Sequence, residues 1–474
     1  MIKISPGLYV ERDFEGLLRF LTDCRDSALR DNHYKVASIS LEVKHLDSLA
    51  VLESIYESDE LHFYMEHPIK EEAIAGADAI LEKTFHGPGR FQQVLQFSNE
   101  ILNHTFAVGD LHVPFWGPHF FTAFTFYDKS GKDTSFSPAT VFLPRWQVGR
   151  KEGIYGAVAN IVVYPTSDPV ELAERTWAAH KKFAAFDYSS VESAPKLAQK
   201  KEHKIRELGG DGAFLHSVKQ ACQGIALGRY EKIVIAKCIE LIGPNELKPL
   251  VSLNSLRNKY PGCYAFSFSG GSEKSFIGAT PERLVRVEGD FVYTEALAGS
   301  ISRGATAAVD ASFAQALLES AKNVDEHRFV VDFIKDCLES IGMEVEFSAK
   351  PNLLQLPNVQ HLRTPIKARK PEGLHLLDTV KVLHPTPAVG GVPQEPALAD
   401  IRRIEPFSRG LYAGTLGWFD HGGNGEMVVA IRSALIEGNT ARAYAGNGIL
   451  VNSSPEEEGI EVDLKLQALL QALH

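Results

Sequence analysis

The spacing of apolar residues divides the chain into segments of two kinds. Residues 14–29 carry them at helical intervals, whereas residues 35–43 alternate apolar with polar, the mark of a strand. The same tests predict strands over 61–66, 119–127, 140–148 and 155–164, and helices over 91–103 and 169–186. These do not follow the strand, helix, strand beat of a doubly wound sheet, so a mixed α+β region is expected. The aromatic run 115–121 reads as core. Residues 187–204 are polar, with Ser189, Ser190, Ser193 and several lysines, and are the best candidate for a linker. An N-terminal α+β region at 1–205 is therefore expected to pack on a second region at 206–474, the two forming one integrated globule.

The second region carries the chemistry. A helix over 211–227 precedes residues 230–239, which are apolar on both faces and read as a central strand. Lys232 shares its side with Val234, Ala236 and Cys238. A lysine drawn into such surroundings loses solvation and becomes able to act as a base near neutral pH; alternatively it sits at the strand's end and reaches water. Residues 263–269 and 274–278 form a hairpin about Gly270-Gly271, followed by a strand ending at Val287, the turn Glu288-Gly289-Asp290 and a strand over 291–294. Glu282 stands at a proline corner between strands, either held partly dry as a general acid or simply solvated. Ala296-Leu297-Ala298-Gly299-Ser300 reads as a small-residue turn that lets a ligand approach the backbone.

From Asn323 a helix shows one apolar face, with Val330, Phe333, Ile334, Cys337 and Leu338. Glu326 and His327 lie on or beside that face. Either Asn323 and Glu326 pair as a cap, or Glu326 is a buried acid with a chemical task. At the far end, Ser454, Pro455 and Glu457 spell a helix start, after the glycine-flexed stretch Gly446-Asn447-Gly448. On that helix Glu458, Glu461 and Lys465 share one stripe with Ala468 and Ala472. Glu456 and Glu457 complement the helix dipole, but Glu461 lies too deep for that. One magnesium ion held by Glu326 and Glu461 would explain why both helices carry an acid where hydrophobes are expected.

Composition narrows the partners. The chain has 474 residues, 44% of them hydrophobic, enough for a large core. A net charge of −11 with scattered acids leaves no basic stripe for nucleic acid, so an anionic ligand needs locally supplied cations. Five cysteines without C-x-x-C spacing imply neither a disulfide framework nor a zinc site and suit a reducing cytoplasm. No secretory run and no membrane-length apolar stretch is seen, so a soluble, cytoplasmic protein is expected.

Taken in order, Lys232-Ile233-Val234-Ile235-Ala236-Lys237, Gly278-Ala279-Thr280-Pro281-Glu282-Arg283-Leu284, Thr294-Glu295-Ala296-Leu297-Ala298-Gly299-Ser300 and Asp325-Glu326-His327 resemble the chorismate-utilising enzymes. The resemblance continues through Val359-Gln360-His361-Leu362, His384-Pro385-Thr386-Pro387, Arg409-Gly410-Leu411-Tyr412-Ala413-Gly414 and Ala430-Ile431-Arg432-Ser433-Ala434 to the C-terminal helix. Thr140-Val141-Phe142-Leu143-Pro144-Arg145-Trp146 is similar to the longer, menaquinone-type isochorismate synthases.

The resemblance implies an anthranilate-synthase-like α+β fold, with two large antiparallel sheets facing one another and helices outside. It implies a Mg²⁺-dependent isochorismate synthase acting on chorismate, for menaquinone or a siderophore. Lys232 takes the place of the water-activating base, where ammonia users typically have glutamine; Ala298 stands where aminodeoxychorismate synthases have a nucleophilic lysine. Glu282 becomes the general acid, and Glu326 and Glu461 the metal ligands, with Glu458 supporting through water. Tyr412, Arg432 and amides near Gly446 hold the enolpyruvyl carboxylate, with Lys465 close by. His361 and Thr386 line the ring pocket, and Gly299 with Ser300 the C4 side; His327 and His384 are shell residues. Asn447 departs from the common Ala-Gly-Ala-Gly. The readings kept beside this one are a salicylate synthase, then an anthranilate or aminodeoxychorismate synthase, or a non-catalytic chorismate-binding paralogue. No glutaminase subunit, nucleic acid or membrane partner is expected, and the chain is taken as a monomer or homodimer.

Overall fold

The computed structural model describes residues 2–4, 13–43, 45–55, 59–129, 131, 135–185, 204–356 and 359–473. The linker expected over 187–204 lies outside these, apart from Lys204. Most predicted elements form where the apolar spacing places them. The first long helix, Phe14–Asp31, is capped by Asp13, whose carboxylate accepts from the Glu15 amide, and stops at Asn32 in the left-handed region (φ 49°). A 14-residue strand, Glu72–Phe85, has no counterpart among the predicted elements. Its first half, Glu72-Ala73-Ile74-Ala75-Gly76-Ala77, is covered on both faces, so it shows no alternation, and alanine and glycine carry little strand preference.

Hydrogen bonding joins the strands into one network, antiparallel throughout the described residues except where Thr105–Val108 pairs with Lys3–Ile4 and with Lys35–Glu42. From Lys232–Ile242 it runs through Thr440–Ile449, Ser433–Glu437, Lys274–Thr280 and Tyr264–Gly270 to Leu61–His67. It then crosses Glu72–Phe85, Ala139–Lys151 and His119–Phe124 and returns through Thr415–Asp420, Gly425–Val429, Arg283–Glu288 and Phe291–Ser302 to Val359–Arg369. Among the described residues, strands before and after the 186–203 segment thus pair directly in two places, Leu61–His67 with Tyr264–Gly270 and His119–Phe124 with Thr415–Asp420. The largest apolar core cluster, with Phe63, Phe121 and Phe142 beside Phe266, Phe276 and Val428, also draws on both regions.

The network curls back so that the Lys232–Ile242 and Thr440–Ile449 pair faces the Phe291–Ser302 and Val359–Arg369 pair across a cavity. Two helices close that gap. Ala321–Ser340 packs on Phe291–Ser302 through buried Val330, Val331, Ile334 and Leu338, and Pro455–Leu470 packs on Thr440–Ile449. Among the described residues no helix is long and apolar enough to cross a membrane.

Two local expectations are corrected here. Residues 296–300 are not a turn; they belong to the strand Phe291–Ser302, in which Gly299 (φ +77°) makes a bulge that shifts the register against Val359–Arg369 between Ala298 and Ser300. The helix expected from Asn323 starts at Ala321, and its cap is Ser320, which accepts from the Asn323 amide. Glu326 is therefore not part of a cap.

Candidate active site

The cavity between the two strand pairs has about 890 Å³ of space opening to solvent. Of the site residues expected from the sequence, Glu282, Gly299, Ser300, Glu326, His361, Tyr412, Arg432, Gly446, Glu458, Glu461 and Lys465 all stand on its wall. They come from eight separate stretches of chain, so the fold alone assembles them.

Lys232 begins a central strand and is fully buried, which excludes the solvent-reaching alternative. Its Nζ lies 3.0 Å from Glu326 Oε1, one layer behind the wall. Gly448, paired with Val234 on the neighbouring strand, makes this possible: a Cβ there would fall 2.4 Å from Glu326 Oε1 and 3.0 Å from Lys232 Cε.

Glu282 occupies the corner between Lys274–Thr280 and Arg283–Glu288. Its amide donates to Thr280 Oγ1 (3.2 Å) and its carbonyl accepts from the Val429 amide (3.0 Å), so the corner is pinned. Only 6% of the residue is exposed, so it is not a solvated corner acid. Burial, reinforced by the nearby Glu295 carboxylate and opposed by Lys232 and Arg432, pushes its carboxyl up to about 8. A carboxylic acid that keeps its proton at neutral pH suits a general acid.

Facing it, His361 bridges two wall residues: its Nδ1 lies 2.9 Å from Ser300 Oγ and its Nε2 lies 2.9 Å from Arg432 Nη2. Burial, then Arg432 and Lys465, hold this imidazole well below its usual range, so it is neutral. Tyr412 is buried, stacked on Tyr444 with ring centroids 5.1 Å apart. Arg432, in the left-handed region (φ 50°), follows Ile431 on the wall.

The remaining wall is acidic. Glu458 accepts from Ser453 Oγ (2.8 Å) and Asn447 Nδ2 (3.1 Å) and pairs with Lys322 (3.2 Å). Glu461 pairs with Lys465 at 2.9 Å. Asn447 is 3% exposed and also accepts from Lys465 Nζ at 2.7 Å, so it ties the acid to the cation.

The chain matches the chorismate binding enzyme family over residues 20–474. It belongs to that family. It is 33% identical over 456 residues to isochorismate synthase MenF of Bacillus subtilis, an alignment spanning 93% of this chain and 94% of that protein. It is 32% identical over 441 residues to the salicylate biosynthesis isochorismate synthase of Pseudomonas aeruginosa, spanning 92% and 90%. Among solved structures, the menaquinone-specific isochorismate synthase MenF of Escherichia coli superposes with a TM-score of 0.75 at 25% identity, over 95% of this chain and 100% of that one. Anthranilate synthase component I of Streptococcus pneumoniae, at 19% identity and a TM-score of 0.66 over 84% and 92%, shares the fold.

Besides Lys232, the expected positions Thr386, His327 and His384 stand off the wall. Thr386 is buried, with its carbonyl taking the Val389 and Gly390 amides, and its loop reaches the cavity through Ala388 and Val389. His327 spends its ring nitrogens on Thr364 Oγ1 (2.8 Å) and the Ala298 carbonyl (3.3 Å), as a shell residue does. Lys322, which nothing in the sequence singles out, and Asn323, weighed there only as a capping residue, also line the cavity. The departure at Asn447 was the one available sign of its bridging role.

Three carboxylates on two helices, each now neutralised by its own lysine, are a hard-oxygen donor set of the kind divalent cations prefer. Among the described residues no three His, Cys, Asp or Glu side chains already close on one point. Such donors fit a divalent cation that keeps part of its coordination sphere for water or a ligand.

Proposed function

We propose that this chain is a Mg²⁺-dependent isochorismate synthase, an isomerase that adds water at C2 of chorismate with loss of the C4 hydroxyl. The observation that carries it is Glu282, buried on the cavity wall where its carboxyl is pushed up to about 8, with the buried Lys232 directly behind another wall residue, Glu326. In this reading Lys232 takes a proton from the attacking water and Glu282 gives one to the departing hydroxyl, so one proton is gained and one lost by the protein. Arg432, Tyr412 and the backbone at Gly446 hold the enolpyruvyl carboxylate, with Lys465 adding charge. Glu326 and Glu461, with Glu458 through water, would hold Mg²⁺, which neutralises and orients the ring carboxylate when bound. We place the enzyme in the cytoplasm, as a monomer or homodimer working without a glutaminase subunit, in menaquinone or siderophore supply.

Incubation with chorismate and Mg²⁺, followed by chromatography, is expected to yield isochorismate. Salicylate and pyruvate as main products would replace this reading with a salicylate synthase, and binding without turnover would replace it with a non-catalytic paralogue. Lys232→Gln is expected to lower the rate by about 10²-fold to 10⁴-fold, the usual worth of a positioned base; near-normal turnover would remove Lys232 from that role.

A further inference from the structure

The Ser300, His361 and Arg432 chain fixes the direction of its hydrogen bonds. A guanidinium carries only N–H donors, so His361 Nε2, 2.9 Å from Arg432 Nη2, must present its lone pair. The neutral ring then has its single proton on Nδ1. Two acceptors await that proton: Ser300 Oγ at 2.9 Å, and the Gly299 carbonyl, which also bonds the ring. Ser300 Oγ therefore accepts from the imidazole, and its own hydrogen must go elsewhere. Among the described residues that hydroxyl has no second partner, while the Ser300 amide is already donated to Asn323 Oδ1 (3.2 Å). The bulge at Gly299 sets Ser300 opposite His361 in the register and on the cavity wall. Its remaining direction is the cavity.

We propose that Arg432, acting through the His361 tautomer, presets Ser300 as a hydrogen-bond donor to an acceptor oxygen of the bound substrate. This rests on the cavity being the chorismate site proposed above. Ser300 touches substrate, and His361 is a positioning residue that acts through it. A histidine with the opposite tautomer would present a lone pair to Ser300, turn the hydroxyl proton inward, and leave an acceptor facing an anionic substrate.

The tautomer is read directly, without turnover. Nitrogen-15 spectra of histidine-labelled enzyme, with His361→Gln used to assign the resonance, are expected to show a protonated Nδ1 and a bare Nε2; a protonated Nε2 would overturn the proposal whatever the activity. In kinetics, Ser300→Ala is expected to lower kcat/KM about tenfold, the worth of one hydrogen bond to substrate, and Ser300→Thr to restore it. His361→Gln, which offers an acceptor to Arg432 and a donor to Ser300, is expected to retain most activity, whereas His361→Leu falls to the Ser300→Ala level. The Ser300→Ala, His361→Leu double variant should be no worse than either single change; additive losses would show that His361 does not work through Ser300 and overturn the relay. If wild-type enzyme makes no isochorismate while the tautomer is as stated, the functional reading fails and the relay within the protein stands.

Discussion

The placement of Glu326 against Lys232 depends on the missing side chain at Gly448, and Gly448→Ala tests it. The added Cβ would sit 2.4 Å from Glu326 Oε1, so that oxygen must retreat by about 1 Å to reach the 3.4 Å of ordinary contact. Gly448 has no positive φ, so alanine brings no backbone strain. The atom it meets is the far end of a partly exposed side chain, which can rotate away from Lys232, while Lys232 Cε at 3.0 Å need give by only a few tenths of an ångström; the stability cost is therefore at the low end for overpacking, about 1 kcal/mol. Function has less tolerance. On the proposed roles, in which Glu326 would hold the metal beside the Lys232 base, a displacement of this size costs on the order of 10²-fold in rate, and a disturbed metal shell about 10-fold to 100-fold in metal affinity. The expectation is a variant whose melting temperature falls by only about 1 °C while kcat falls about 10²-fold and the Mg²⁺ concentration for half-maximal activity rises. Thermal unfolding, with isochorismate formation followed by chromatography across a Mg²⁺ titration, measures all three. Wild-type kcat and Mg²⁺ dependence in a folded Gly448→Ala enzyme would show that the Glu326 and Lys232 arrangement is not what the reaction uses.

Two further outcomes follow from buried charge. Glu282 holds its proton in the folded chain up to about 8, against 4.5 when unfolded, so its stabilising contribution is complete below pH 4.5 and is lost as pH rises through about 8; activity that needs its proton should fall on the same alkaline limb. In Glu282→Gln, urea unfolding between those pH values should lose that slope, and the residual activity should lose its alkaline limb; an unchanged limb would assign it to another group. Arg409 and Glu405 are a buried pair, 1% and 2% exposed, in which Arg409 also donates to the Val234 and Val389 carbonyls at 2.8 Å and Glu405 accepts the Ala236 amide at 2.8 Å. Arg409→Met leaves Glu405 uncompensated and is expected to cost about 3–5 kcal/mol in denaturant unfolding, with Arg409→Met, Glu405→Leu recovering part of it.

Reading the sequence worked where local rules suffice. The helix start at Ser454-Pro455, with the Ser454 hydroxyl accepting from the Glu457 amide, is a matter of adjacent residues, and so is the hairpin about Gly270-Gly271. It failed where packing overrides preference: the strand Glu72–Phe85 is built from alanine and glycine that tertiary neighbours cover on both faces, and residues 296–300 look like a turn until a strand alongside makes them a bulge. The alternatives left open for Lys232 and Glu282 were questions of burial, and burial depends on elements far away in the chain.

Which chemical groups are available can be read along the chain: a lysine on an apolar strand, a glutamate at a proline corner, and acids on two helices where hydrophobes would serve packing better. Their states come from folding. It dried Glu282 beside Glu295 so that its proton stays, set Lys232 against Glu326 beneath Gly448, and placed Ser300 where His361 and Arg432 dictate the direction of its hydrogen bond. Side-chain identity is written in the chain, but solvation and hydrogen-bond direction depend on neighbours that only folding brings within a few ångströms.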